Sequence, residues 1–437
     1  MNLLKSDTSV MFFDFPLNYE VEMNGCYYHD PELPEDAITW QYAVLPLDYP
    51  LPNIQHEIIY QVVLPNNSED GDELKNSSYS SFFDEVERES FRLTGCSNYI
   101  PEEGTGQKGI FKRYRPSGRI MVQDDEAKRL VPLRGARVQA RWTTHIGVGI
   151  TDDNGEFTVD ARFLYKVNFG IKWERAHYDI RDGKLFQAWY NESGKSTRWY
   201  LNIDWGKSKQ FAHIHLAAHH MFYENPFGIK PPNAASNKLK ISYLDERGTG
   251  LSRGDLISLI GLSNIFIYGR YTNSGNLKES NRIFGTTVHE LGHISHWNLG
   301  HNMHIQRCEG WIAESWATAI EHIYTKNYYK TYYDVDYDHE VGYQNWGVAN
   351  SGGYTPIFID LIDDSNQGGV DNPNVPNDRV MASHGYTLQY IQDNILLESY
   401  GLSSLKSQLK AKKPTNFSDS LIDDLLALYS SVNLSVK

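Results

Sequence analysis

Residues 286 to 293 run Thr286-Thr287-Val288-His289-Glu290-Leu291-Gly292-His293. Side chains four positions apart on a helix lie on one face about a turn from each other. His289 and His293 can therefore each turn an imidazole nitrogen toward a single zinc ion. Glu290 is rotated by roughly 100° from His289, which puts its carboxylate beside the open coordination position. There it can take a proton from water whose pKa the ion lowers toward roughly 7. The flanks support a buried amphipathic helix over about 283–299. No charge stands between Ile283 and His289 or between Leu291 and Trp297, and Phe284, Val288, Leu291 and Ile294 recur every three or four residues as a core-facing stripe. Gly300 stands where such a helix would stop.

Two histidines do not complete a catalytic zinc site, which normally has three protein ligands and an open position. Glu314 lies in a segment where Ala313, Ala317, Ile320 and Tyr324 mark a second amphipathic helix, with small residues suited to close packing. A carboxylate on that helix can reach an ion held by the first. His301 and His304, beyond the helix stop, and Glu309 compete for the same role. HExxH followed on the next helix by a glutamate resembles the gluzincin metallopeptidases, thermolysin-like and aminopeptidase-like. The resemblance covers these two helices. It implies His289, His293 and Glu314 as zinc ligands and Glu290 as general base, and it disfavours Glu309, which is too close in sequence. The metzincin pattern would need glycine at 296 and histidine at 299, where this chain has His296 and Leu299.

Outward from this motif, the chain of 437 residues is long enough for two to four domains. Its 40% hydrophobic content can fill several cores. Asp and Glu outnumber Lys and Arg by 55 to 41, and a net charge of -14 repels phosphate backbones, so nucleic acid is not expected as a partner. The most apolar stretch, Leu256 to Gly269, is shorter than the roughly 20 residues of a membrane span and is broken by Ser258, Ser263 and Asn264. No transmembrane segment is expected. The start of the chain, with Lys5 and Asp7 after Leu3 and Leu4, lacks the apolar run of roughly 7–15 residues in a secretory signal. Three cysteines, Cys26, Cys96 and Cys308, leave at least one without an intrachain partner.

Residues 1–108 read as an irregular, β-containing domain. Pro31, Pro34, Pro46, Pro50 and Pro52 punctuate it, Ile58 to Leu64 is a candidate strand, and Asn66 to Ser81 is a polar loop. Residues 109–182 alternate. Tyr165, Val167, Phe169, Ile171 and Trp173 occupy every second position of a strand with one buried face. Asp152-Asp153-Asn154-Gly155 supplies residues that tolerate positive φ, so Thr151 to Val159 is expected to be a tight hairpin. The runs from Gly118 to Asp124, Pro132 to Ala140 and Thr151 to Val159 resemble the carboxypeptidase regulatory-like, transthyretin-like β-sandwich appended to many exported bacterial proteins. That resemblance implies a non-catalytic accessory module. It also implies an extracellular or bacterial cell-envelope protein whose export signal is absent from this chain.

Residues 183–437 are then expected to form a zincin-like metallopeptidase domain, as the gluzincin resemblance implies. Strands are expected at Leu185 to Tyr190, Arg198 to Ile203, Lys238 to Tyr243 and Asn264 to Tyr271, with a helix at Phe211 to Tyr223 and mainly helices beyond Ile283. The fold class is thus multidomain α+β: a β-sandwich module followed by a zincin-like domain with a mixed sheet and a C-terminal helical subdomain. His213, His215, His219 and His220 include a pair four apart but no Glu at the second position, so they read as core histidines of a helix packed on the sheet. Asn264 to Gly269 is expected to be the edge strand, able to hold an extended peptide. His322, Tyr354, His384 and Tyr386 remain open as oxyanion donors. Tyr328, Tyr329, Tyr332 and Tyr333 are expected to line a substrate cleft. Together these features point to a zinc metallopeptidase acting on a peptide or protein substrate. The alternative is a surface protein that binds glycan or protein and carries a structural or inactive zincin domain.

Overall fold

In the computed structural model the described residues are 113–142, 145–184, 186–232, 238–252, 265–299, 308–337, 355–362, 386–414 and 418–430, with short pieces before residue 94. They form a mixed α+β structure with several sheets and seven α-helices. The chain divides into two compact units, and it passes between them more than once. The first comprises residues up to Ile120, Arg137–Lys172 and Trp189–Leu201; the second comprises Met121–Ala136, Trp173–Ala188 and Asn202–Lys437. No single cut at residue 182 separates them, because distant strands pair with one another within each unit.

In the first unit, β1 (Phe12–Phe13) and β2 (Tyr42–Ala43) form a short antiparallel ladder. Ile58 and Ile59 are exposed and outside any strand, and the rest of the candidate strand to Leu64 lies outside the described residues, as do Cys26, Cys96 and the polar loop. Along the chain, which crosses between the units, come the strands β3 (Ser117–Asp124), β4 (Arg129–Pro132), β5 (Arg137–Trp142), β6 (His145–Ile150), β7 (Glu156–Thr158) and β8 (Val167–Lys172), of which β5 to β8 lie in the first unit and β4 in the second. Further on come β9 (Tyr178–Asp182), β10 (Phe186–Gln187), β11 (Trp189–Ser196) and β12 (Arg198–Ile203). One antiparallel sheet has the order β11-β8-β5-β6. The expected single buried face does not hold along β8: Val167, Phe169 and Ile171 are buried, but so are Gly170 and Lys172 between them, because β8 is an inner strand of the sheet.

The turn at Asp152 forms as expected. Gly155 has φ of 76°, and the Asp152 carboxylate accepts the N–H groups of Asn154 and Glu156, each at 2.9 Å. Its flanking strands, however, do not form a hairpin. β6 pairs with β5, whereas β7 pairs with the start of β3. Burial explains the difference: Phe157 on β7 turns inward to meet Phe169 of β8 and Trp199 of β12, at 5.9 and 6.4 Å between ring centres.

In the second unit a five-stranded sheet has the order β10-β9-β13-β15-β14. Here β13 is Leu239–Arg247, β14 is Gly250–Ser252 and β15 is Ile265–Arg270. β13 runs parallel to both β9 and β15, and β14 returns antiparallel along the outside of β15. The expected strand at 264–271 therefore exists, but it is not the edge, because the three-residue β14 covers it. Helix α1 (Gly206–His219) lies on this sheet through Phe211, whose ring meets Trp173 and Tyr243 at 6.2 and 5.7 Å.

Helices α2 (Ser280–Trp297) and α3 (Gly310–Tyr333) pack closely. At their contact a Cβ on Gly292 would lie only 3.2–3.3 Å from Ile320 and Ala317. Glycine is what lets the two backbones approach. The remaining helices, α4 (Ile357–Asp360), α5 (Leu388–Asn394), α6 (Leu402–Ala411) and α7 (Asp419–Ser430), complete the C-terminal part.

Of the four tyrosines expected to line a cleft at the end of α3, three go into the core, while Tyr332 stays half-buried beneath the Arg134 guanidinium. Tyr328, Tyr329 and Tyr333 are buried, and Tyr328 packs against Phe284 of α2 at 4.3 Å between ring centres. Their hydroxyls are satisfied internally. Tyr328 and Tyr333 share a hydrogen bond of 2.7 Å, and Tyr329 donates to the buried Asp124 carboxylate at 3.0 Å. Asp124 in turn accepts the N–H groups of Glu126 and Ala127, closing the β3–β4 turn beneath the helix. Tyr328→Ala should therefore destabilise the fold by about 3–5 kcal/mol, as large aromatic truncations in cores do. Tyr329→Phe should destabilise it by about 1–3 kcal/mol by leaving a buried acceptor short of a partner. Urea unfolding of the two variants checks both values.

Candidate metal centre

The start of α2 is fixed by a reciprocal pair. The Ser280 N–H donates to the Asp125 carboxylate at 2.9 Å, and the Asp125 N–H donates to the Ser280 hydroxyl at 2.7 Å. From that anchored end the helix carries Phe284, Val288, Leu291 and Ile294 into the core, as their spacing requires. The same register turns His289 and His293 toward α3, with ring centres 4.9 Å apart and planes at 82°. From α3, Glu314 Oε2 comes to 3.4 Å from His289 Nε2 and 3.3 Å from His293 Nε2. These three side chains are the one group among the described residues whose donor atoms gather tightly enough to hold a metal ion, all within 4.8 Å of one another.

The donor set fits a tetrahedral ion. Nitrogen and oxygen ligands roughly 2.0–2.1 Å from such an ion stand roughly 3.3–3.4 Å apart, which matches the separations of Glu314 from both imidazoles. Glu314 Oε2 is also shielded from solvent, where a negative charge is costly unless positive charge faces it. The electrostatics agree. Burial by itself disfavours a charged His289, but the neighbouring carboxylates of Glu314 and Glu321 outweigh it and raise the His289 pKa to about 10. Burial likewise pushes Glu314 up, and the hydrogen-bonding and charge interactions with His289 and His293 outweigh it, holding the carboxyl well below the usual range. The cluster is built to hold positive charge.

Glu321 was not picked out from the sequence. Its Oε2 lies 3.1 Å from His289 Nδ1, so the carboxylate fixes the ring and leaves Nε2 facing Glu314. It stands seven residues after Glu314, two turns along the same face of α3, and that spacing was the available signal. Glu290 is buried one position beyond His289. Its Oε1 rests so close to the first residue of β14 that a Cβ on Gly250 would sit 2.2 Å away. A bare backbone at 250 is what lets the carboxylate lie there, and a three-residue strand gave no sequence signal.

The other candidates go elsewhere. The Glu309 carboxylate accepts the Trp311 indole N–H at 2.5 Å and is not in the cluster. Tyr386 donates its hydroxyl to the Leu409 carbonyl at 2.8 Å, which places it among the C-terminal helices. His322 is buried on α3 and outside the metal-capable group. His301, His304, Tyr354 and His384 lie outside the described residues. His215 uses both ring nitrogens, on the Tyr178 hydroxyl at 2.9 Å and the Arg134 carbonyl at 2.8 Å. His213 meets the Gln123 carbonyl and His220 the Glu224 carboxylate. They are core histidines of the α1 region.

Glu321→Gln should weaken metal binding about 10–100-fold with the fold intact, whereas Glu314→Ala should remove most of the bound metal. Chelator competition and elemental analysis measure the two effects. An unchanged metal content in Glu314→Ala would mean that another side chain completes the site.

No family model and no curated protein matches the chain. Among solved structures it is similar to a 9R-lipoxygenase from Cyanothece PCC8801, at 12% identity over 35% of this chain and 32% of that chain, with a TM-score of 0.12. The chain thus spans about a third of that protein's length, and a likeness this slight carries no argument about fold or function.

Proposed function

We propose that this chain is a zinc-dependent metallopeptidase of gluzincin type, in which His289, His293 and Glu314 hold the ion and Glu290 is the general base. The observation that carries this reading is the separation of Glu314 Oε2 from the two imidazole nitrogens, 3.4 and 3.3 Å, with the Glu290 carboxylate one residue away on the same helix. Two nitrogens, each at tetrahedral spacing from one carboxylate oxygen, suit zinc, which leaves a fourth position for water or substrate. When bound, zinc lowers the pKa of water toward roughly 7 and polarises a carbonyl oxygen.

Glu290 then moves the proton. Its carboxylate accepts it from the attacking water and returns it to the departing nitrogen, so that the nucleophile is deprotonated as it attacks and the product leaves as a neutral amine in place of an amide anion. Glu321 keeps the His289 ring from rotating away, and Gly250 keeps the edge of the sheet against the base. The outer side of β14 carries backbone groups to which an extended peptide can add as a further strand.

In this reading the sheet β11-β8-β5-β6 and the strand β7 of the first unit belong to the accessory sandwich. The sheet ending in β14, together with α1, α2 and α3, makes up the zincin-like part. The sandwich resemblance supports an extracellular or cell-envelope setting. No helix among the described residues is long and apolar enough to cross a membrane.

Zinc-loaded protein should cleave a mixed peptide library, lose that activity to a chelator and regain it with added zinc. Glu290→Gln should keep the zinc and slow cleavage by about 10²–10⁴-fold. Full activity in that variant would remove Glu290 from the mechanism. A zinc-loaded wild type that cleaves no peptide would favour a binding protein with a structural metal site.

A further inference from the structure

Lys278 lies in the turn between β15 and α2 and is only 6% exposed. Its backbone N–H donates to the Gly269 carbonyl at 2.8 Å, which holds the turn against the end of β15. Its ammonium donates to the Thr249 carbonyl at 3.0 Å. Thr249 immediately precedes Gly250, the residue whose backbone lies against the Glu290 carboxylate. A buried lysine is costly where an apolar side chain would pack as well, so its presence at this point asks for a reason. Among the described residues β14 runs for three residues and is paired on one side alone. So short an edge needs another tie if it is to hold a fixed position.

We infer that Lys278 is a positioning residue, which pins the start of β14 to the turn before α2 and so fixes the gap between the edge strand and Glu290. The kinetic consequence rests on the metallopeptidase reading, in which β14 aligns the substrate backbone beside that base. The pin itself does not. The charged groups facing the ammonium are Glu321 of α3 and Glu290 and Arg282 of α2. Burial lowers the Lys278 pKa, Glu321 and then Glu290 oppose it, and Arg282 adds to the lowering, leaving it at about 8. The charged donor is therefore strongest below pH 8 and gives way to a weaker, neutral amine as the pH rises.

The test compares Lys278→Met and Lys278→Arg with wild type, all as full-length, zinc-loaded protein. Hydrogen exchange at the β14 amides reads the pin, and peptide cleavage between pH 6 and 10 reads its consequence. Lys278→Met should bind zinc normally, exchange the Gly250–Ser252 amides at least about 10-fold faster, and raise KM about 10-fold with a smaller change in kcat. Wild-type KM should climb above pH 8. Lys278→Arg, whose guanidinium stays charged, should keep exchange slow and KM flat to pH 10. Unchanged exchange in Lys278→Met overturns the inference whether or not the protein is a peptidase. Faster exchange with unchanged KM overturns the positioning role. Faster exchange in a protein whose wild type cleaves nothing upholds the pin and refutes the peptidase reading.

Discussion

The second unit depends on how closely α2 and α3 can approach. Gly292 sets that approach, since any side chain there would meet Ile320 and Ala317 of the opposing helix. With the two backbones close, residues from both helices meet without long side chains having to bridge a gap. Glu314 reaches His289 and His293, and Glu321 reaches the far side of the His289 ring. The same contact seats Phe284 against Tyr328, so the hydrophobic seam and the polar cluster are two stretches of one interface. Packing sets the geometry that chemistry uses.

Charge is the second constraint. Buried carboxylates and imidazoles are stable only if their charges balance. Here Glu314 and Glu321 bring negative charge to His289 from both sides, and the His289 pKa rises to about 10 in response. A site with that field attracts cations, and its two nitrogens and one oxygen select for an ion that accepts mixed ligands in a small shell. Lys278 brings positive charge near Glu321 and Glu290, and donates its hydrogen bond to the backbone carbonyl of Thr249.

Much of this was legible in the sequence, for identifiable reasons. The apolar stripe and the four-residue spacing of His289 and His293 specify a helix and its inward face at once. Glu314 was readable because a second amphipathic pattern surrounds it. The misreadings share a cause: local patterns specify elements but not partners. Period-2 alternation found β8, yet nothing local says that β7 pairs with β3 in place of β6. Four tyrosines clustered at the end of a helix look like a cleft until Asp124, far away in the chain, is seen to accept the Tyr329 hydroxyl. The three described residues of β14 carry no periodicity, so nothing in the sequence shows that they cover the expected edge at Asn264 to Gly269. Glu321 lay in plain view at two turns from Glu314, but its role depends on which side of the His289 ring faces α3.

The central claim is that two histidines and one glutamate of these helices bind a single zinc ion in a tetrahedral site. X-ray absorption at the zinc edge of the stoichiometrically loaded protein tests it directly. The account predicts four nitrogen or oxygen neighbours at roughly 2.0–2.1 Å, with the outer scattering of two imidazole rings. A sulfur neighbour at roughly 2.3 Å, a single imidazole, or no stoichiometric loading would contradict it.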